Sequence, residues 1–201
     1  MATFLAQIEG MTQISLGGSS NPVNTEVSDF LTDGAKDIIN KLITMRPDEA
    51  FKFATESTVD DSTGITVSGK ILSVVRENGT PADVRPASPI PDFVRYLATD
   101  KKSLQYRSAY NPGFYILNGK VYVLPEPTNS NNSAIISHIN YPAVAHGESS
   151  ITGFPDEYEP LVVLYASAMT CMAAAADIHN NMPTKPTALE NPNFFSDSVS
   201  L

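Results

Sequence analysis

The chain has 201 residues, of which 42% are hydrophobic, and a formal net charge of -9. This length favours one domain with a sizeable core, and the negative balance argues against a protein that neutralises nucleic-acid phosphates with a basic face. The chain lacks a basic, apolar secretory start, and no segment approaches the roughly 20 consecutive apolar residues of a membrane helix. We therefore expect synthesis in the cytoplasm and no membrane partner.

Residues 1–24 predict an extended N-terminal arm. The stretch is polar and rich in Gly, Ser and Asn after Leu16. From Gly17 to Pro22 the chain offers no large apolar side chain to bury, and its Gly, Asn and Pro residues are typical of a loop. We expect the folded domain to begin at residue 25 and to continue to residue 180.

An early helix is predicted over residues 27–45, because apolar residues recur there at steps of three and four. Thr25 or Ser28 is expected to cap its first turn, and Pro47 to stop it. Seven residues form the expected apolar face: Val27, Phe30, Leu31, Ala35, Ile38, Ile39 and Leu42.

Residues 51–142 change to the twofold period of β-strands and predict an inserted antiparallel region. The clearest signal is Asn118-Gly119, a two-residue hairpin turn between two apolar runs. Prolines at 81, 86, 89 and 91 predict a loop, followed by a short helix over 92–97. The predicted strands are 51–55, 64–68, 70–76, 114–117, 120–124 and 134–141.

A late helix is predicted over residues 155–179, with Pro155 in its first turn and two acids beside the positive end of the helix dipole. The expected core stripe is Leu161, Leu164, Tyr165, Ala168, Met169, Met172 and Ala176. The single cysteine, Cys171, lies in this apolar run and is expected to be an inert core residue. Helices around inserted strands predict an α+β fold, a helical bundle of the early and late helices with extended termini. Residues 181–201 form the predicted C-terminal tail.

The sequence contains no recognisable catalytic machinery. It has neither a Gly-x-Ser-x-Gly nucleophile turn nor a Gly-rich phosphate loop. His138, His146 and His179 are not spaced as metal ligands, so we expect structural roles for them, no metal site and no cofactor. Asp60-Asp61 predicts a turn. One alternative stays open, a carbohydrate- or peptide-handling enzyme or binding domain in which Asp92, Glu126 or His138 lies in a cleft of the β region.

The run from Gly153 to Ala166, Gly-Phe-Pro-Asp-Glu-Tyr-Glu-Pro-Leu-Val-Val-Leu-Tyr-Ala, opens the late helix. It resembles the head-to-tail adaptor (connector) proteins of tailed bacteriophages, especially those of short-tailed phages. In that family a similar Phe-Pro-x-x-Tyr/Phe segment leads into a late helix that reads Leu-x-x-Leu-Tyr-Ala-Ala. The resemblance covers the two helices and the general layout, from Val27 to Asn180.

The resemblance implies a structural protein of the virion neck. It implies a ring, usually of twelve protomers, that docks beneath the portal protein, with DNA passing through its channel and its β region facing the tail nozzle or tail fibres. The negative charge suits a channel along which DNA slides without sticking. The tail is expected to bind a partner through Pro192, Phe194, Phe195, Val199 and Leu201. A tail-nozzle or baseplate component is the milder alternative.

Overall fold

The computed structural model describes residues 2–17, 21–79 and 83–181. The helices of these residues are α1 (Phe4–Thr12), α2 (Asn24–Met45), α3 (Arg95–Thr99) and α4 (Glu159–Asn181). The strands are β1 (Ala54–Val59), β2 (Ile65–Thr66), β3 (Ile71–Asn78), β4 (Asp83–Pro86), β5 (Ser88–Pro89), β6 (Gly113–Leu117), β7 (Lys120–Leu124) and β8 (Ala134–Ile139). All of these strands lie between α2 and α4, so the predicted α+β class is confirmed.

The inserted strands form two four-stranded sheets, in the orders β1-β8-β3-β4 and β2-β7-β6-β5. The pairs are antiparallel except for the short parallel pair of β5 with β6. The predicted hairpin is confirmed, since Asn118 and Gly119 between β6 and β7 have positive φ angles of 51° and 74°. The two sheets share a core that consists of Val59, Val74, Val121, Val123, Ala134 and Ile136.

The first predicted strand, over residues 51–55, is wrong. Pro47–Phe53 form a 3₁₀ helix, and β1 begins at Ala54. Phe53 is buried and Phe51 is exposed, whereas in a strand residues two positions apart lie on the same face. Pro47 has the fixed φ angle of a first helical turn, and that local preference decides the conformation. The predicted strand over 64–68 shrinks to the two residues of β2.

Helices α2 and α4 pack against each other, as the sequence led us to expect, and the structure shows that they run in antiparallel directions. At one end of the pair, the Asn21 side-chain amide donates to Asp177 at 2.8 Å. At the other end, the Tyr158 hydroxyl donates to Glu49 at 2.9 Å. A Cβ atom at Gly34 would lie only 2.9 Å from the ring of Tyr165, so the absence of a side chain there lets the helices approach closely.

The prediction of an extended arm over residues 1–24 is wrong, because residues 4–12 form α1. Thr3 caps this helix by accepting from the Ala6 amide at 3.3 Å. The Phe4 amide donates at 2.7 Å to the carbonyl oxygen of Glu148, in the loop before α4. Phe4 and Ile8 are buried in the helical core. A nine-residue helix is marginal alone, so its stability comes from this packing, which a short sequence pattern does not reveal.

The start of α2 also differs from the prediction. The helix begins at Asn24, and the amide of Val23 donates to the Glu26 carboxylate at 2.9 Å. Ser28 does not cap the helix, because its hydroxyl accepts from the His146 amide at 3.1 Å and so fixes the loop before α4. Glu26 therefore caps the start of α2 in place of Thr25 or Ser28, and the Ser28 hydroxyl serves a tertiary contact instead.

The core face of α4 is rotated from the predicted stripe. The residues that α4 buries are Glu159, Val162, Val163, Ala166, Ser167 and Thr170. Leu161 and Leu164, by contrast, are 48% and 58% exposed. The helix is apolar around most of its circumference, so periodicity does not distinguish its two sides. The predicted core position of Cys171 is also wrong, because its side chain is exposed.

A charged cluster joins the end of α2 to the start of α4. The Glu49 carboxylate accepts from Arg46 at 2.8 Å and from Tyr158 at 2.9 Å, and Lys52 lies 3.2 Å away. Lys52 also contacts Glu157 at 3.0 Å. The hydrogen bond from Arg46 is the largest cause that lowers the pKa of Glu49, from 4.5 to about 2, followed by those from Tyr158 and Lys52.

This cluster predicts a specific loss of stability in acid. The folded state lowers the pKa of Glu49, so its contribution is present above pH 4.5 and is lost as the pH falls towards about 2. Thermal unfolding of the wild type and of Glu49→Gln should therefore differ near neutral pH and converge between these values. An equal difference between the two proteins at pH 7 and at pH 2 would contradict the prediction.

Candidate assembly surfaces

The histidines have structural surroundings. His138, on β8, has its Nε2 3.1 Å from the Ser57 hydroxyl and its Nδ1 3.2 Å from the Ile139 carbonyl oxygen. His146 Nδ1 lies 3.0 Å from the Ser28 hydroxyl. Within residues 2–17, 21–79 and 83–181, no three His, Cys, Asp or Glu side chains are grouped as metal ligands. These contacts give both rings a role in holding strands and loops.

The three residues of the enzymatic alternative do not meet in a shared cavity. Glu126 lines a cavity of about 320 Å³ together with Lys101 and Arg107. Neither Asp92 nor His138 lines it. Asp92 begins the short 3₁₀ turn before α3 and lies 3.7 Å from the Arg95 guanidinium. The geometry therefore offers no acid–base pair built from these residues.

The sequence did not indicate the burial of Arg76 on β3, which is 5% exposed. Its guanidinium donates to the carbonyl oxygens of Pro125 at 3.1 Å, Ser133 at 3.0 Å and Glu77 at 2.5 Å. Burial lowers the pKa of Arg76. Since residue 125 directly follows β7, Arg76 ties one sheet to the other and acts as a structural residue.

Three large apolar surfaces remain uncovered on the described residues. The first, which we call the aromatic patch, consists of Phe93, Tyr96 and Leu97, all exposed. It is the outer side of a segment whose inner side, Val94 and Ala98, is buried against the sheets. The Arg95 guanidinium lies 4.6 Å from the ring centre of Tyr96. Exposed aromatic residues beside arginine are typical of the central contacts of protein interfaces.

The second surface is a groove of about 790 Å³ at the open side of the two sheets. Its apolar walls come from β3 and β6, and include Ile71, Val74, Phe114 and Ile116. Pro86 and Pro89 line the same groove. An apolar groove that the protein leaves open is suited to contact with another chain.

The third surface is the outer side of α4. With the turn that precedes it, the segment Asp156–Asn181 is long and apolar enough to cross a membrane, with a mean hydropathy of 1.7. Core helices of soluble proteins share this property, and the inner side of α4 packs against α1 and α2. The outer side carries exposed Leu161, Leu164, Met172 and Ile178. This uncovered side is the one that the sequence assigned to the core.

The predicted partner-binding residues of the C-terminal tail lie outside the described residues. They are Pro192, Phe194, Phe195, Val199 and Leu201. Among known proteins, no family model matches this chain, and no curated protein is similar to it at a significant level. The functional interpretation therefore depends on the chain's own residues and surfaces.

Proposed function

We propose that this chain is a structural protein of a bacteriophage virion, a head-to-tail adaptor that forms a ring beneath the portal and joins it to the tail. The observation that carries the proposal is the segment from Gly153 to Ala166. Phe154 packs against Phe53 with ring centres 5.5 Å apart, and Pro155 precedes the turn that leads into α4. The residues that resemble the adaptor family thus open a long helix packed on α2, in keeping with that family's layout.

The uncovered surfaces support a protein that works inside an assembly. Single exposed apolar residues are common on monomers, whereas grouped ones mark interaction sites. The aromatic patch belongs to the β region, which in this proposal faces the tail nozzle or the tail fibres. The C-terminal tail binds the portal through Phe194 and Phe195. These two contacts use different parts of the chain, as a joint between head and tail requires.

The charge of the chain supports a channel through which DNA passes without binding. The net charge of -9 repels the phosphates of DNA, and a ring multiplies that charge by its number of protomers. The outer side of α2 carries Asp33, Lys36, Asp37 and Lys41 in two ion pairs. The charges of those two ion pairs cancel. The negative field of the ring therefore comes from acidic residues elsewhere in the chain.

The experiment is to mix the purified chain with the portal protein of the same phage and to view the mixture by negative-stain electron microscopy. The proposal expects a second ring of density beneath the portal ring. A chain that stays monomeric and ignores the portal would contradict it. A chain that ignores the portal but binds the tail nozzle or baseplate proteins would contradict the adaptor role and identify a tail component instead.

The tail provides a sharper prediction. Removing residues 192–201 should leave the thermal unfolding temperature within about 2 °C of the wild-type value, because the sequence predicts a folded domain that ends at residue 180, and should weaken portal docking. The matched control replaces Phe93 and Tyr96 of the aromatic patch with serine. That control should keep portal docking and lose binding of the tail proteins. Equal portal docking by the truncated and complete chains would remove the assignment of the tail.

A further inference from the structure

The cavity of about 320 Å³ that Glu126 lines has the composition of a binding site. Three charged side chains line it, Lys101, Arg107 and Glu126, together with apolar residues such as Ala98 and Leu124. Ala98 and Leu124 are buried, so this part of the cavity belongs to the packed interior. Apolar walls with a few charged groups are typical of cavities that hold a ligand.

The charged groups of this cavity are not used by the chain itself. None of the ion pairs of the described residues involves Lys101, Arg107 or Glu126. The Arg107 guanidinium donates to the Asn111 side-chain oxygen at 3.2 Å, and its Nε is buried without a hydrogen-bond partner among the described residues. Native proteins leave few buried donors in that state. The polar surroundings of Arg107 are therefore incomplete in the single chain.

The charges determine which kind of ligand completes them. Two positive groups and one negative group leave the cavity with one net positive charge, which a single carboxylate balances. A phosphate monoester has nearly two negative charges at neutral pH and would be repelled by Glu126. The phosphodiester of nucleic acid has one, but the net charge of -9 opposes its approach. A carboxylate also matches the paired N–H donors of an arginine.

The aromatic patch lies next to this cavity along the chain. Ala98 and Thr99, at the end of α3, line the cavity, while Tyr96 and Leu97 of the same helix belong to the patch. A small free anion would use the cavity alone. A protein segment would use both surfaces, because an acidic side chain and an apolar side chain are neighbours on one backbone.

We propose that the cavity binds the carboxylate of an aspartate or glutamate side chain of a partner protein, while the aromatic patch packs against an apolar residue beside that acid. Lys101 and Arg107 attract the carboxylate, and Glu126 excludes ligands with more negative charge. Only the identity of the partner as a tail protein rests on the proposed function. Binding of an acidic segment does not need the portal or a ring.

The test uses the complete chain and two capped dipeptides, N-acetyl-Asp-Phe-amide and N-acetyl-Asn-Phe-amide, which differ only in the charged group. Ligand-observed NMR titration should give a Kd of about 1 mM or below for the Asp peptide. The Asn peptide should bind about tenfold more weakly or worse, because it loses the charge-assisted hydrogen bonds. Replacing Phe by Ala in the Asp peptide should also weaken binding, since the patch then has less to contact.

Four variants of the chain locate the site. Arg107→Met and Lys101→Met should each weaken binding of the Asp peptide about tenfold. Glu126→Gln should strengthen it about threefold, because a repelling charge is removed. The matched control is Lys102→Met, which removes the same charge from an exposed residue that does not line the cavity. Thermal unfolding checks that each variant is folded, and Lys101→Met tests the site if Arg107→Met is not.

Several results would overturn the inference. They are equal binding of the Asp and Asn peptides, no binding of either, unchanged or weaker binding by Glu126→Gln, and an equal loss in Lys101→Met and Lys102→Met. Inorganic phosphate that binds more tightly than the Asp peptide would show a general anion site instead of a site for an acidic segment. Portal docking, measured separately, decides the proposed function.

Discussion

Replacement of Phe4 by alanine is expected to destabilise the protein by about 3–5 kcal/mol, the usual cost of truncating a buried phenylalanine. Phe4 is only 1% exposed, and it packs in the helical core with Ile8, Val163 and Ala166. Truncation leaves a cavity where α1 meets α4, and the neighbours relax into it only in part. An extended, unpacked arm would give a change near zero instead, so chemical denaturation of Phe4→Ala separates the two descriptions of residues 1–24.

The control for this prediction lies on the same helix. Met11 is 57% exposed, so Met11→Ala should change the free energy of unfolding by less than about 1 kcal/mol. Both variants place alanine, a good helix former, in α1, so intrinsic helix propensity does not explain a difference between them. Similar, small effects of the two substitutions would show that α1 does not stabilise the core.

Replacement of Arg76 by methionine should destabilise the protein by about 3 kcal/mol. Methionine keeps the apolar length of the side chain but removes every donor. The partly buried carbonyl oxygens of Pro125 and Glu77 then lose a donor, while that of Ser133 keeps the Glu77 amide at 2.9 Å, and each buried group left unsatisfied costs about 1–3 kcal/mol. Urea unfolding of the variant measures the effect directly.

The matched control is the residue opposite on the neighbouring strand. Arg85 pairs with Arg76 across β3 and β4, and its guanidinium lies 2.9 Å from Asp83 and 5.1 Å from the ring centre of Tyr110. The side chain of Arg85 is 39% exposed, and exposed ion pairs contribute about 0–1 kcal/mol. Arg85→Met should therefore cost less than about 1 kcal/mol. If both variants unfold at the same urea concentration, the buried carbonyl contacts of Arg76 do not stabilise the two sheets.

The candidate surfaces were only partly predictable. The short helix that carries the aromatic patch was predicted from Pro91 and the apolar run after it, but the exposure of Phe93 and Tyr96 was not. The exposure of the outer side of α4 was not predicted, although all of its residues belong to the predicted late helix. Val162 and Val163 are about as hydrophobic as Leu161 and Leu164. Composition therefore does not show which of the two pairs faces the core.

Arg76 shows the same limit for charged residues. In the sequence it follows a run of apolar strand residues and resembles an exposed strand end. Its burial depends on the loop after β7, which lies about 50 residues further along the chain. The carbonyl oxygens of that loop accept hydrogen bonds from the Arg76 guanidinium. Neither the period of β3 nor its neighbours in sequence carries information about that loop.

By itself, the sequence determined the α+β class, the early and late helices, and the hairpin at Asn118-Gly119. These features depend on the period of apolar residues and on backbone preferences, which act within a few residues. Only the tertiary structure decided that residues 4–12 form a packed helix, that α4 turns Val162 and Val163 inward, and that Cys171 is exposed. Those outcomes depend on which surfaces meet after folding, because burial is a property of the pair of packed elements and not of either one alone.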